Sequence, residues 1–157
     1  MNAARKGGDF MRGTRWLATI LLVGALSGCG GGGGGGGITG PSGNSETESN
    51  DFTPQSIGTL AGSDIVWSGS SASQADVDLY SVTLSGTTNL FVSVNWSNAN
   101  DLELSISNAN GIFVRTVDTA SHPESCTLAG LPAGTYTIRI GSFANTATPY
   151  TLTVGAR

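Results

Sequence analysis

Asp78-Leu79-Tyr80-Ser81-Val82-Thr83-Leu84 is the stretch whose reading decides the fold. In an extended chain Tyr80, Val82 and Leu84 fall on one side and Ser81 and Thr83 on the other, because successive side chains of a strand point to opposite faces. The same period of two returns along the chain. Leu90, Val92, Val94 and Trp96 share a face within 89–96, and Leu102, Leu104 and Ile106 share one against Glu103, Ser105 and Ser107. Tyr136, Ile138 and Ile140 alternate with Thr137 and Arg139; Tyr150, Leu152 and Val154 alternate with Thr151 and Thr153. Residues 56–60, 65–68, 112–117 and 125–128 are shorter segments of the same kind, and Ser85-Gly86, Asn108-Ala109-Asn110-Gly111 and Leu131-Pro132-Ala133-Gly134 supply turns between strands. No segment after residue 37 has an apolar period of about 3.6 residues. The expected fold is all-β, an antiparallel β-sandwich of eight or nine strands. Its core holds Tyr80, Leu84, Val92, Val94, Leu104, Ile106, Tyr136, Ile138, Leu152 and Val154.

Outward from the strands, the front of the chain has a different composition. Arg5, Lys6, Arg12 and Arg15 precede the apolar run Trp16–Leu26, which at eleven residues is shorter than the roughly 20 needed to span a bilayer. Basic, then apolar, then small residues is the layout of a secretory signal. Leu26-Ser27-Gly28-Cys29 resembles the bacterial lipobox, which implies a signal peptide (a signal helix over 1–28) and acylation of Cys29 as the mature N-terminus. Gly30 follows the cysteine where an aspartate would favour inner-membrane retention, so the outer membrane is the expected address. Gly30–Gly37 and the residues to Ser45 form a Gly-rich linker that holds the domain roughly 20 Å from the anchor as a random coil. The divisions are thus 1–28 signal peptide, 29–45 lipidated cysteine and tether, and 46–157 sandwich domain.

Charge excludes several functions. The whole chain carries −4, but the part after Cys29 has three arginines, no lysine and ten acids, a net of −7. Nucleic acid binding needs clustered cations to displace counterions, and this segment has none. Cys126 is the one cysteine besides Cys29, so no intramolecular disulfide is expected in the domain. It shares the parity of Leu128 and reads as a small buried hydrophobe; His122, the single histidine, lies in a loop and gives it no designed base. The sequence has no Gly-x-Ser-x-Gly, no histidine pair and no phosphate loop. Asp101 and Glu103 have the look of a glycosidase pair, but read as solvated strand-edge carboxylates. No catalytic residue is assigned. Trp67 and Trp96 are the candidates for a sugar-stacking platform, although Trp96 has core parity.

The densest oxygen cluster is Glu46-Thr47-Glu48-Ser49-Asn50-Asp51, where the tether gives way to the domain. In an extended segment Glu46, Glu48 and Asn50 point one way and Asp51 the other. Asp76 and Asp78 add carboxylates from further along the chain. A Ca²⁺ ion takes six to eight oxygens in irregular geometry, and mutual repulsion among these acids supplies a reason for a cation.

Several of these segments resemble one family when taken in order. Glu48-Ser49-Asn50-Asp51, Asp76-Val77-Asp78-Leu79-Tyr80-Ser81, Asn100-Asp101-Leu102-Glu103-Leu104, Asn108–Gly111, Leu131–Tyr136 and Tyr150–Val154 are similar to the bacterial pre-peptidase C-terminal domain, related to the collagen-binding domains of clostridial collagenases. The resemblance covers about 46–154. It implies a jelly-roll-like sandwich, an accessory module of secreted proteases without catalysis of its own. In the calcium-binding branch a Glu-x-Glu-x-Asn-Asp run supplies ligands, which carries over to Glu46, Glu48, Asn50 and Asp51, with Asp78 before the Tyr-Ser strand. A further family aspartate falls here on Ala75, and Asp76 stands beside it with its direction open. Collagen binding does not carry over, since Thr137 and Arg139 stand where collagen binders place tyrosines.

The expected protein is a lipid-anchored, non-catalytic accessory or binding module at the bacterial cell envelope, with Ca²⁺ as its cofactor. The membrane is one partner, through the acylated (palmitate-type) N-terminus; a protein or glycan at the envelope is the other. A carbohydrate- or peptidoglycan-binding module is the alternative.

Overall fold

A computed structural model describes residues 44–157. The signal peptide, Cys29 and most of the tether therefore lie outside the described residues. Ten strands run in the order β1 (Asn44–Ser45), β2 (Gln55–Leu60), β3 (Ile65–Ser71), β4 (Asp78–Leu84), β5 (Thr88–Trp96), β6 (Leu102–Asn108), β7 (Phe113–Val117), β8 (Glu124–Leu131), β9 (Gly134–Ser142) and β10 (Thr148–Ala156). They form two five-stranded sheets, β1-β3-β10-β5-β8 and β2-β4-β9-β6-β7. From β3 onward the chain repeatedly crosses from one sheet to the other, which is the jelly-roll arrangement of interleaved Greek keys.

Ten strands correct the sequence count of eight or nine. The extra one is β1, two residues that the sequence reading left in the tether; nothing in Asn44-Ser45 is apolar, and only parallel pairing with Trp67 and Ser68 of β3 makes it a strand. After β1 the segment 46–54 crosses the open side of the sandwich and enters β2, which pairs in parallel with β4. One strap thus covers an edge of each sheet, the places where unpaired backbone groups otherwise face solvent.

The period-two pattern is what the sheets bury. All ten core residues expected from the sequence are buried, joined by Ile57, Leu60, Val82, Leu90, Trp96, Leu102, Ile140 and Tyr150. The alternation fixes register, because slipping any strand by one residue would turn its apolar row outward. In β8 the register shifts between its pairs with Thr88 and Leu90. Gly130 takes a left-handed φ of 62° at that bulge and its N–H bonds to Asn89 Oδ1 at 2.9 Å.

Two polar ties close the ends of the sandwich. Arg157 places both guanidinium nitrogens 2.7 Å from the Asp64 carboxylate, lies 4.6 Å from the Phe91 ring centre, and so fastens the chain end to the β2–β3 loop. At the opposite side Glu124, buried at the start of β8, reaches across to the other sheet. Its Oε2 accepts the Leu104 N–H of β6 at 3.1 Å, and its Oε1 accepts the N–H of Thr119 in the β7–β8 loop. Burial pushes its pKa up, while these N–H donors hold it down.

Leu152 is fully buried in the central strand β10, so Leu152→Ala is expected to destabilise by about 2–5 kcal/mol in urea unfolding. Glu124→Leu orphans two backbone N–H groups and is expected to lose about 2–5 kcal/mol. Glu124→Gln keeps an acceptor and should lose less than half of that. Equal losses for the two Glu124 variants would count against a hydrogen-bonding role.

Candidate metal centre

The acidic cluster forms where the strap passes over the ends of β3, β4 and β10. Glu46 follows β1, and its backbone N–H bonds to Ser68 O at 2.8 Å, which continues the β1–β3 pairing by one residue. That contact aims the Glu46 side chain over the sandwich. Its Oε2 accepts the Ser70 N–H at 2.8 Å; its Oε1 accepts Tyr80 Oη–H at 2.8 Å and Asn50 Nδ2–H at 3.1 Å. Asp78 begins β4, fully buried, two residues before Tyr80 on the same face. Glu46, Glu48 and Asp78 each bring a carboxylate oxygen within 4.8 Å of the others.

The remaining sequence candidates divide. Asn50 is 2% exposed and joins the cluster through Glu46. Asp51 points elsewhere, as the alternation implied, and its Oδ1 accepts the Val77 N–H at 3.0 Å. Asp76 closes the β3–β4 loop by accepting the Ala72 N–H. Both still act on the cluster: the charges of Asp76, Glu46 and Asp51 all raise the Glu48 pKa, after desolvation as the largest cause. Ala75, where the family pattern has an aspartate, is an exposed loop residue.

Sequence reasoning treated Tyr80 as a core aromatic, read Tyr150 only as one of an alternating strand row, and missed both hydroxyls. These meet each other at 2.6 Å beneath the carboxylates. A series of contacts results: Asp78 Oδ2 to Tyr150 Oη at 2.6 Å, Tyr150 Oη to Tyr80 Oη at 2.6 Å, and Tyr80 Oη to Glu46 Oε1 at 2.8 Å. Burial pushes both phenols above their ordinary range, so each keeps its proton. A fourth, longer contact joins Tyr150 Oη to Glu46 Oε1 at 3.3 Å, and the three short contacts of the series share two phenolic protons. With Asp78 ionised, Tyr150 donates to Asp78 and Tyr80 to Glu46, and the phenol–phenol contact has no proton. A proton on Asp78 completes the series. Desolvation, opposed by the Tyr150 hydrogen bond and reinforced by the charge of Glu46, raises the Asp78 pKa to about 8. Geometry and electrostatics therefore agree that Asp78 holds a proton near neutral pH in the absence of a cation.

Gly69 is the sequence signal that was available for this arrangement. It pairs with Tyr150 across β3 and β10. A Cβ there would fall on the Tyr150 phenol and 2.6 Å from Tyr80 Oη. The two hydroxyls can meet only beside a residue without a side chain.

Two oxygens at the cluster, Asn50 Oδ1 and Asp78 Oδ1, are enclosed and lack a hydrogen-bond partner. Buried acceptors of this kind are rare, and each is costly to leave unmatched. The donor set is all oxygen, which suits a hard cation and not zinc or copper.

The other candidates do not assemble into sites. Glu103 is held by Arg139 at 2.9 Å. Asp101 has an enclosed Oδ1 without a partner, but it does not join a group of metal-ligating side chains among the described residues. His122 lies against Trp96, with ring centres 5.1 Å apart. Burial raises the Cys126 thiol, with Arg115 opposing, the reverse of an activated nucleophile. Trp96 is buried, with its Nε1–H donated to Asn100 O at 2.6 Å. Trp67 packs on the core and meets the Tyr80 ring edge-on at 6.4 Å. Trp96 thus offers no free face of the kind a sugar platform needs, and Trp67 is half-buried.

Because the Asp78 proton is bound in the folded state and not in the unfolded one, it stabilises the domain below about pH 4 and this stabilisation is lost as pH rises through about 8. Melting temperatures in chelator should therefore fall between pH 5 and pH 8.5, and Asp78→Asn should flatten the decline. A wild-type profile that rises with pH would contradict the assignment. Gly69→Ala should lower the melting temperature and shift near-ultraviolet tyrosine dichroism, whereas Gly86→Ala, in open space, should change neither by a comparable amount.

Comparison with known proteins places this geometry. Residues 76–142 match the family described as bacterial pre-peptidase C-terminal domain. No curated protein matches the sequence. Among solved structures, the pre-peptidase C-terminal domain of a collagenase from Bacillus anthracis is similar over 67% of this chain and 99% of its own, at 15% identity and a TM-score of 0.54. The Yersinia pseudotuberculosis-derived mitogen matches over 62% of this chain and 88% of its own, at 11% identity and a TM-score of 0.49. A periplasmic inhibitor of g-type lysozyme from Salmonella Typhimurium matches over 67% of this chain and 100% of its own, at 18% identity and a TM-score of 0.45. The chain thus carries, in residues 76–142, a match to the bacterial pre-peptidase C-terminal domain, within a sandwich whose fold is similar to that domain in the Bacillus collagenase.

Proposed function

We propose that the protein is a lipid-anchored, non-catalytic accessory or binding module at the bacterial cell envelope, whose sandwich is locked by one Ca²⁺ ion. The observation that carries the calcium reading is the meeting of Glu46, Glu48 and Asp78 within 4.8 Å, beside two enclosed oxygens without partners. Glu46, Glu48, Asn50 and Asp78 would hold the ion, with Asp51 and Asp76 adding charge around it. The ion supplies electrostatic neutralisation and fixes the strap, and its role is structural. Non-catalytic character is supported by the match to an accessory-domain family, by the packing of His122 against Trp96 and by the raised pKa of the Cys126 thiol.

The anchor rests on the sequence Leu26-Ser27-Gly28-Cys29 after an apolar run, and the tether on Gly30–Gly37. Together they support a reading in which the module is tethered to a membrane, the outer one in a Gram-negative host. Two or more acyl chains on one cysteine give firm attachment.

Calcium should raise the melting temperature of the purified protein, by an amount equivalent to about 2.7 kcal/mol at a free concentration 100-fold above Kd. Asp78→Asn should abolish the response. Absence of any shift at millimolar Ca²⁺ would refute the calcium reading. For the anchor, Cys29 is expected to incorporate a fatty-acid analogue in cells, and Cys29→Ala to release the protein from the membrane fraction. A Cys29→Ala protein that still fractionates with membrane would refute the lipid anchor.

A further inference from the structure

The two edges on the far side of the sandwich are not covered by a strap. β7 ends one sheet and β8 the other, and neither has an outer neighbour among the described residues. β7 is exposed along most of its length. Among the described residues, three of the six exposed large hydrophobics, Ile112, Phe113 and Val114, are consecutive here, with Ile112 and Phe113 61% and 64% exposed. A short apolar edge strand with free backbone groups is a template for another strand.

Charge states what kind of strand. The described residues carry three cations. Arg139 is paired with Glu103 and Arg157 with Asp64; Arg115 has no ion pair among them. Arg115 is the third of the five residues of β7. Antiparallel pairing of β7 with a second copy, in register along its length, sets Arg115 opposite Arg115, and in-register parallel pairing sets the two side by side. Like charges so placed are destabilising. The net −7 of the domain adds repulsion between copies. The same arginine favours a foreign strand that brings a carboxylate to the middle of the edge.

We propose that β7 is a docking edge for an extended segment of another protein, apolar on either side of one acidic residue that meets Arg115. The segment adds a sixth strand beside β7, with main-chain hydrogen bonds for attachment, apolar contact at Ile112–Val114, and Arg115 as the selector. This edge lies at the end of the sheet opposite β2, so its occupation is independent of the calcium reading.

The test uses two fluorescein-labelled peptides of alternating valine and threonine with solubilising ends, one with glutamate and one with lysine at the centre. Anisotropy against the purified protein should show the glutamate peptide binding at least tenfold more tightly, and Arg115→Glu should reverse the order. Phe113→Ser should weaken both peptides several-fold. Bound glutamate peptide should slow amide hydrogen exchange of Phe113–Val117, which ties the effect to this edge. Arg115 is exposed, so Arg115→Glu should leave the melting temperature unchanged, and Arg115→Val should increase self-association in sedimentation. Equal affinity for the two peptides, no binding at millimolar concentration, or protection that appears elsewhere and not in β7 would overturn the proposal.

Discussion

The constraint on which the rest of this structure depends is electrostatic. Glu46, Glu48 and Asp78 are brought within 4.8 Å of one another above a buried pair of tyrosine hydroxyls. Carboxylates so close cannot all be ionised without compensation, since like charges in a partly buried site repel strongly and burial itself disfavours the charged form. Either a proton or a cation must be there. Asp78, fully buried and with a pKa raised to about 8, is the group that takes the proton. This need for compensation links the cluster to stability, because its members come from the strap and from β4, with Tyr150 of β10 beneath.

That linkage explains the path of the N-terminal segment. Residues 46–54 have little apolar surface with which to hold themselves against the sandwich, and Phe52 is 93% exposed. Polar contacts hold the strap instead: Glu46 to Ser70 and Tyr80, Asp51 to Val77, and the Gln55 side chain to Ser45 and Thr47. The β1 edge and the strap therefore share one fastening. The opposite side of the molecule has its own fastening in the buried Glu124, but leaves β7 uncovered. The two sides differ in consequence: one is closed by this chain, and the other is open to another.

Much of this was legible in the sequence, and the limits have physical causes. Strict alternation in residues such as Tyr80, Val82 and Leu84 or Tyr150, Leu152 and Val154 marks both strand and buried face, because a period of two is the geometry of a strand. The expected core is buried throughout. β1 escaped notice because a polar dipeptide has no pattern, and only its partner Trp67-Ser68 makes it a strand. The acids of the cluster could be named, but their meeting depends on register between segments up to 104 residues apart. Parity put Tyr80 in the expected core and Tyr150 on a face with Leu152 and Val154, and a face assignment says nothing of where a hydroxyl ends. Asp51 and Asp76 show the converse: as carboxylates they were candidates, yet each has an oxygen engaged by a backbone N–H. Edge position is likewise set by sheet order, so the exposure of Phe113 and Val114 could not be read from the apolar run Ile112-Phe113-Val114, which would serve equally in a buried strand.

The most direct measurement is the number of protons released when Ca²⁺ binds, obtained by calorimetric titration at pH 7 in two buffers of different ionisation enthalpy. A cation that takes the place of the Asp78 proton should bind at one ion per chain and release close to one proton, the release fading above about pH 8 and absent in Asp78→Asn. Binding without proton release, or no binding at all, would contradict the account.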